Sequence, residues 1–171
     1  MAEAPTTIID LSRLSLAHGE GKRLEVPVAL APFELGGQTY TADPAAPTAR
    51  LEVSRPTNGF AFRLGFPVHL GGPCMRCLEP AALDLEVEAR EIDQGGTEDP
   101  ELRSPYVDED ELDLGRWAHD AAMLALPTRI LCRPDCAGLC PICGESLNDN
   151  PHEHEEATDP RWSALKDLKL E

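Results

Sequence analysis

The chain has 171 residues, 42% hydrophobic and 27% charged, with 5% aromatic side chains, 16 prolines, 13 glycines and six cysteines. That apolar fraction supplies a core and argues against wholesale disorder, and the length fits one domain. No apolar run approaches the ~18 residues of a membrane span, since the best candidate, 121–126, stops at Pro127. Fifteen basic against 31 acidic residues give a net charge of −16, which disfavours passive coating of a phosphate backbone. The first residues, Met1 to Thr7, lack the basic and apolar segments of a secretion signal. The expectation is a cytoplasmic protein with reduced thiols, in which cysteines are metal ligands rather than disulfides.

In chain order, residues 1–92 read as antiparallel β structure. Short strand signals occur at 6–11 and at 23–30, where Pro27 implies an edge or a bulge. Residues 49–55 alternate cleanly, Pro56-Thr-Asn-Gly59 signals a turn, and 60–66 follows as the partner strand of a hairpin. Gly36-Gly37 and the proline-rich stretch 43–47 read as loop, and 71–77 as a turn. The best alternation lies at 83–92, with Leu83, Leu85, Val87 and Ala89 on one face and Asp84, Glu86, Glu88 and Arg90 on the other, as a half-buried antiparallel strand requires.

Residues 93–111 form an acidic loop. From Glu91 to Glu111 there are nine acids and one base, Arg103, amid turn residues, which reads as a solvated spacer or as an arm for a basic partner. The period then becomes helical, through Leu114, Trp117, Ala118, Ala121, Leu124 and Ala125. Asp113 is the predicted N-cap, Leu112 is placed to staple against Trp117, and Pro127 ends the helix. Asp159-Pro160 opens a second short helix bearing Trp162, Leu165 and Leu168. Residues 112–171, helix plus Cys-rich segment plus C-terminal helix, are expected to pack with 1–92 as one domain. The fold class is α+β: an antiparallel sheet or partial barrel, one packed helix, and a zinc-stapled C-terminal segment.

The chemistry lies between the helices. Cys132, Cys136, Cys140 and Cys143 fall within twelve residues, and Cys140-Pro-Ile-Cys143-Gly144 has the form of a zinc knuckle, two thiolates clasping one tetrahedral ion. These four cysteines are the favoured ligand set for a structural Zn²⁺. The alternates are His152 and His154, which otherwise form an exposed acidic turn with Glu153, Glu155 and Glu156, and Cys74 with Cys77, a second Cys-x₂-Cys element that could close a ribbon across the fold. The segment is polar and has few apolar groups to order it, and ligation would supply that ordering energy. A redox pair belongs at a helix N-terminus in a βαβ unit, whereas Cys74 and Cys77 sit between strands with Arg76 inside the pair. His18, His69 and His119 stand alone and read as structural or solvated. No nucleophile elbow, His-Glu-x-x-His or phosphate loop occurs, and no catalytic or cofactor-binding residue other than the metal ligands is assigned.

Four motifs in order carry a resemblance: Cys74-Met-Arg-Cys-Leu-Glu-Pro80 before a strand, Asp113-Leu before a helix ending Leu124-Ala-Leu-Pro127, Leu131-Cys-Arg-Pro-Asp-Cys-Ala-Gly-Leu-Cys-Pro-Ile-Cys-Gly144, and Asp159-Pro-Arg-Trp162 before a leucine-bearing helix. The series resembles the YceD family, the large ribosomal RNA subunit accumulation proteins, also called a domain of unknown function. The resemblance implies a non-catalytic cytoplasmic factor for accumulation or processing of large-subunit ribosomal RNA, or for ribosome assembly. Many relatives carry Cys-x-Cys where this chain has His152-Glu-His154, which points to the two histidines as ligands. Others lack the C-terminal cysteines, which makes metal a local stabiliser. The implied partner is that RNA, met directly or through a basic ribosomal protein or assembly factor. Direct contact would need Lys22, Arg23, Arg50, Arg55, Arg63, Arg76 or Arg90, and eight bases in the first 90 residues are few for a long footprint. The competing readings are a zinc-ribbon interaction module with a non-ribosomal partner, and a thiol- or metal-dependent enzyme.

Overall fold

The computed structural model describes residues 7–154 except Gly96 and Glu98. The helix expected after Asp159 lies outside the described residues. Among the described residues, nine strands and one main helix make a mostly β structure: β1 Ile8–Asp10, β2 Gly21–Pro27, β3 Phe33–Leu35, β4 Gln38–Ala42, β5 Thr48–Ser54, β6 Phe60–Pro73, β7 Pro80–Asp93, β8 Val107–Asp108, β9 Glu111–Asp113 and α1 Leu114–Ala125. No described helix is long and apolar enough to cross a membrane.

All pairing between the described strands is antiparallel. The main sheet runs β2-β5-β6, and β7 lines the other edge of β6 along its whole length. β5 covers one half of the first edge of β6, from Arg50↔Gly65 to Ser54↔Ala61, and β4 takes over at Ala42↔Leu70 and Thr41↔Gly71. Among the described residues no strand pairing closes this sheet into a barrel. A small second sheet, β1-β9-β8, brings the start of the chain against the entry to α1, and both Leu114 N and Gly115 N donate to the Thr7 carbonyl.

β6 is twice as long as its alternation over 60–66 foretells. It continues through Gly71-Gly72, residues expected to turn, and reaches Pro73. The reason is Tyr40, fully buried, whose ring lies so close that a Cβ on Gly72 would fall 2.3 Å from Cδ1, and whose hydroxyl donates to the Pro73 carbonyl at 2.7 Å. The glycine is therefore a cradle for a ring. Gly36-Gly37, read as loop, is the two-residue turn of the β3-β4 hairpin, with φ of +58° and +77°. Left-handed conformation at both positions is what a tight hairpin demands.

Phe62, Leu64, Phe66, Val68 and Leu70 of β6 all point into the core with Leu51, Val53, Val87 and Phe33. α1 lays Leu114, Trp117, Ala118, Ala121 and Ala122 on this layer, and Trp117 meets Phe62 edge-on at 6.2 Å. The Asp113 side chain accepts from Arg116 N at 3.0 Å, so the cap stands where the sequence places it. The acidic stretch after β7 is tied at its neck. Asp93, 5% exposed, accepts from Arg103 Nε and Ser104 N, both at 3.1 Å.

Adding a methyl at Gly72 forces the Tyr40 ring or β6 to move. Gly72→Ala is expected to cost about 1–3 kcal/mol, read as a fall in Tm of roughly 3–10 °C, and Gly72→Ala with Tyr40→Ala to recover part of the loss in a double-mutant cycle.

Candidate metal centre

The turn between β6 and β7 is built from Cys74-Met-Arg-Cys77-Leu78-Glu79. Cys74 N donates to the Glu79 carbonyl at 2.7 Å, and Leu78 N to the Cys74 carbonyl at 3.0 Å. Leu78 holds φ at +64°, a conformation that costs an L side chain about 1–2 kcal/mol. Cys140-Pro-Ile-Cys143-Gly144-Glu145 repeats this backbone: Cys140 N donates to the Glu145 carbonyl at 2.8 Å, Gly144 N to the Cys140 carbonyl at 2.9 Å, and Gly144 has φ of +76°. Both turns aim the N–H groups of the loop at the first sulfur and leave the second sulfur beside it. A repeat, Cys-x-x-Cys-x-Glu, was readable in the sequence at 74–79 and 140–145.

The chain after α1 runs along the first turn. Met75 N donates to the Ile130 carbonyl at 2.9 Å and Leu139 N to the Arg76 carbonyl at 3.2 Å. These bonds carry Cys132 and Cys136 to the hairpin, with Sγ of Cys136 3.8 Å from that of Cys74 and Sγ of Cys132 3.5 Å from that of Cys77. A tetrahedron with Zn–S arms of ~2.3 Å has edges of about 3.8 Å, whereas a disulfide needs ~2.05 Å. Cys74, Cys77, Cys132 and Cys136 thus form one four-sulfur set with all ligand atoms within 4.8 Å of one another. Cys132 alone among them is exposed.

A second set holds Cys140, Cys143, His152 and His154 within the same 4.8 Å limit. Sγ of Cys143 lies 3.1 Å from Nε2 of His152, and Nδ1 of His152 sits 2.8 Å from the Asn150 carbonyl. Donation to that carbonyl fixes the tautomer and turns the Nε2 lone pair towards the sulfurs. The His154 ring meets His152 edge-on, 4.9 Å away. The four cysteines of 132–143 therefore do not gather as one set in the described residues. Cys132 and Cys136 are drawn off by the hydrogen bonds to the hairpin turn, and the histidines complete the set of Cys140 and Cys143. Asn148 bridges the two: its Oδ1 accepts from Ala137 N at 2.7 Å and Arg133 Nη2 at 3.0 Å, and its Nδ2 reaches Sγ of Cys136 at 3.5 Å. Nothing in the sequence marked Asn148 for this.

Electrostatics divides the thiols. Burial pushes Cys74 up, but the N–H groups of Arg76, Cys77 and Cys132 outweigh it and bring the thiol down to about 6. The Cys143 N–H, helped by that of Ile142, brings Cys140 to about 6 against burial. Burial and the neighbouring Cys77 sulfur push Cys132 up to about 12. Hydrogen bonding to Asn150 raises His152, with the Cys140 sulfur adding to it. Each set thus holds one thiol brought down to about 6; the Asn148 amide also lowers Cys136, whereas Cys132 ionises only when a cation shares it. Thiolates and imidazoles at tetrahedral spacing can hold a soft divalent ion. The residues fit such a group.

The chain is mostly β, and its hairpin turn and C-terminal segment present two Cys/His sets that could hold a metal ion. The family model described as "Large ribosomal RNA subunit accumulation protein YceD" matches residues 66–169, and the chain belongs to that family. An uncharacterized protein of Mycobacterium bovis and one of Mycobacterium tuberculosis are each 39% identical over 105 residues, covering 57% of this chain and 49% of the relative. One of Mycobacterium leprae is 38% identical over 63 residues, covering 37% of this chain and 29% of the relative. The chain thus spans about half the length, or less, of the curated relatives it matches. No solved structure matches.

Leu78 is 55% exposed, so its side chain adds little packing to offset its backbone strain. Leu78→Gly is expected to leave Tm unchanged or raise it, since relief of about 1–2 kcal/mol exceeds the entropy cost of glycine of roughly 0.5–1 kcal/mol. Leu78→Val, β-branched, is expected to lower it.

Proposed function

We propose that the chain acts in large-subunit ribosomal RNA accumulation, through processing or assembly, as a cytoplasmic binding protein without catalytic activity, and that two structural Zn²⁺ ions hold its binding surfaces in place. The observation that carries this reading is that the stretch shared with the family, 66–169, contains both donor sets. Each set offers four protein ligands, and a zinc held by four has no position for water or substrate. Cys74, Cys77, Cys132 and Cys136 would take one ion and Cys140, Cys143, His152 and His154 the other. The ions supply cross-links and nothing else. The first joins the β6-β7 turn to the segment after α1, and the second folds residues 140–154 on themselves. In small zinc modules such ligation contributes on the order of 10 kcal/mol, which suits a segment with few buried apolar side chains.

The reading supports a partner that is large-subunit RNA or a basic protein bound to it. The acidic balance of the chain complements a basic protein. The exposed Ile142 and Leu78, 64% and 55% accessible at the tips of the two knuckles, offer apolar contacts beside it.

Elemental analysis of the purified full chain is expected to find two zinc ions, with Cys136→Ser and Cys143→Ser each retaining one. Circular dichroism is expected to keep the β signal in Cys143→Ser. A metal-free chain with thermal stability indifferent to chelators removes the structural half of the reading. Because the ligands bind as thiolates, metal affinity is expected to fall as pH drops below neutral, with proton release on uptake at pH 7. Affinity purification from growing cells is expected to recover large-subunit ribosomal RNA; recovery of no ribosomal component removes the functional half.

A further inference from the structure

We infer that the outer face of the β2-β5-β6-β7 sheet is a short contact site for the phosphodiester backbone of a single RNA strand, centred on Arg63 and Arg90. The inference rests on the ribosomal RNA reading and adds that the contact is direct.

Antiparallel register sets Arg23, Glu52, Arg63 and Arg90 in one row across four neighbouring strands. All four belong to the outward-facing positions, alternating with buried Leu51, Val53, Phe62 and Leu64. Arg23 is spoken for, its Nη2 2.7 Å from Glu52 Oε1. Arg63 and Arg90 stand directly opposite each other, and among the described residues neither has a carboxylate within ion-pair distance. Like charges placed opposite on paired strands destabilise a sheet. An anion lying between them turns that repulsion into attraction.

Three of the remaining cations of the first 90 residues are otherwise placed. Arg13 pairs with Asp10 at 2.9 Å, Arg55 donates to the Leu16 carbonyl and covers the Phe60 ring, and Arg50 lies between Glu52 and Glu88, 3.9 Å from each. The row on the Arg50 side holds Glu25 and Glu88 and repels an anion. On the other side, Gly21, Ser54, Ala61 and Ile92 form a row of mostly small side chains. Together the two rows line an open cavity of ≈ 670 Å³, with Lys22 on β2 and Glu91 on β7 at its borders. A ligand is thus confined between a cationic row and a low shelf on which a planar ring can lie flat, with Ile92, 44% exposed, at its end.

Strands are ~4.8 Å apart, so Arg23 to Arg90 spans about 14 Å, room for two or three phosphates. A longer contact runs into the carboxylates of a chain of net charge −16. A repeated phosphate with a planar base beside it matches the pairing of guanidinium row and shelf. Guanidinium groups grip phosphate bidentately. The side chains of an acidic protein would use the row and leave the shelf empty.

The test is fluorescence anisotropy of a labelled ten-nucleotide single-stranded RNA titrated with the full, metal-loaded chain. Two or three contacts predict that affinity falls about 7- to 20-fold between 50 and 200 mM salt. Arg63→Glu with Arg90→Glu is expected to weaken binding at least tenfold with Tm unchanged. Arg13→Glu with Arg129→Glu, the same charge change at residues that do not line the cavity, is expected to weaken it less than threefold, and Arg63→Lys with Arg90→Lys to keep most of it. No binding by the wild-type chain, equal losses in the two glutamate variants, or displacement of the RNA by poly-glutamate at equal charge concentration overturns the inference. In cells, unchanged recovery of ribosomal RNA with the Arg63/Arg90 variant overturns this face while leaving the ribosomal reading intact. No recovery with the wild-type chain overturns that reading itself.

Discussion

The turn that joins β6 to β7 is the constraint on which the rest of the molecule depends. Two strands of fourteen residues pair along their whole length, so whatever closes the hairpin fixes the register of the central sheet. The closure is a Cys-x-x-Cys loop rather than a glycine turn, and the strain at Leu78 is held by two backbone hydrogen bonds to Cys74 and from it. The same loop receives the segment after α1 through Met75 and Arg76. One short stretch therefore sets the register of the sheet, anchors the C-terminal region and presents half of a four-sulfur set. The buried Tyr40 ring secures its approach, since it occupies the space above Gly72 and bonds the Pro73 carbonyl immediately before Cys74.

Much of this architecture was legible in residue pattern. The alternation at 49–55 and 83–92, the turn at 56–59, the cap at Asp113 and the stop at Pro127 each express a local rule, and each matches an observed boundary within a few residues. The misses have a common cause. The alternation ends β6 too early, and Gly36-Gly37 reads as loop, because glycine is read by default as a breaker. At Gly72 its role is to leave room for a ring from another strand, and that is invisible until the partner is known. β3 and β4 are short, flank that pair, and carry too few residues for their alternation to register.

The ligand sets illustrate the same limit. Proximity in sequence groups the four cysteines of 132–143, and the residue types do point to metal. Grouping is decided elsewhere, by hydrogen bonds from Met75 N to the Ile130 carbonyl and from Leu139 N to the Arg76 carbonyl, which lie at a sequence separation that no spacing rule reaches. The repeated Cys-x-x-Cys-x-Glu was the one local clue that two knuckles exist, and two knuckles of one geometry ask for two separate pairs of partners. The first pair comes from Cys132 and Cys136. His152, with its tautomer fixed by Asn150, and His154 supply the second.

The two sets place unequal demands on the chain. Cys140, Cys143, His152 and His154 span fifteen residues of sequence, Gly144 takes its positive φ at no steric cost, and the donors are half exposed. Cys74 and Cys77 reach partners more than fifty residues away, and three of the four sulfurs are buried. Closing the longer loop costs more chain entropy, but only slowly with length, and the backbone bonds at Met75 and Arg76 meet part of that cost before any ligand is in place. An ion in the second set would order only the loop of residues 140–154, whereas one in the first would hold Cys132 and Cys136 against the β6-β7 turn. Arg63 and Arg90 stand opposite each other on the two strands that this turn joins, so the register that sets them in one row is fixed by the same hairpin that presents Cys74 and Cys77.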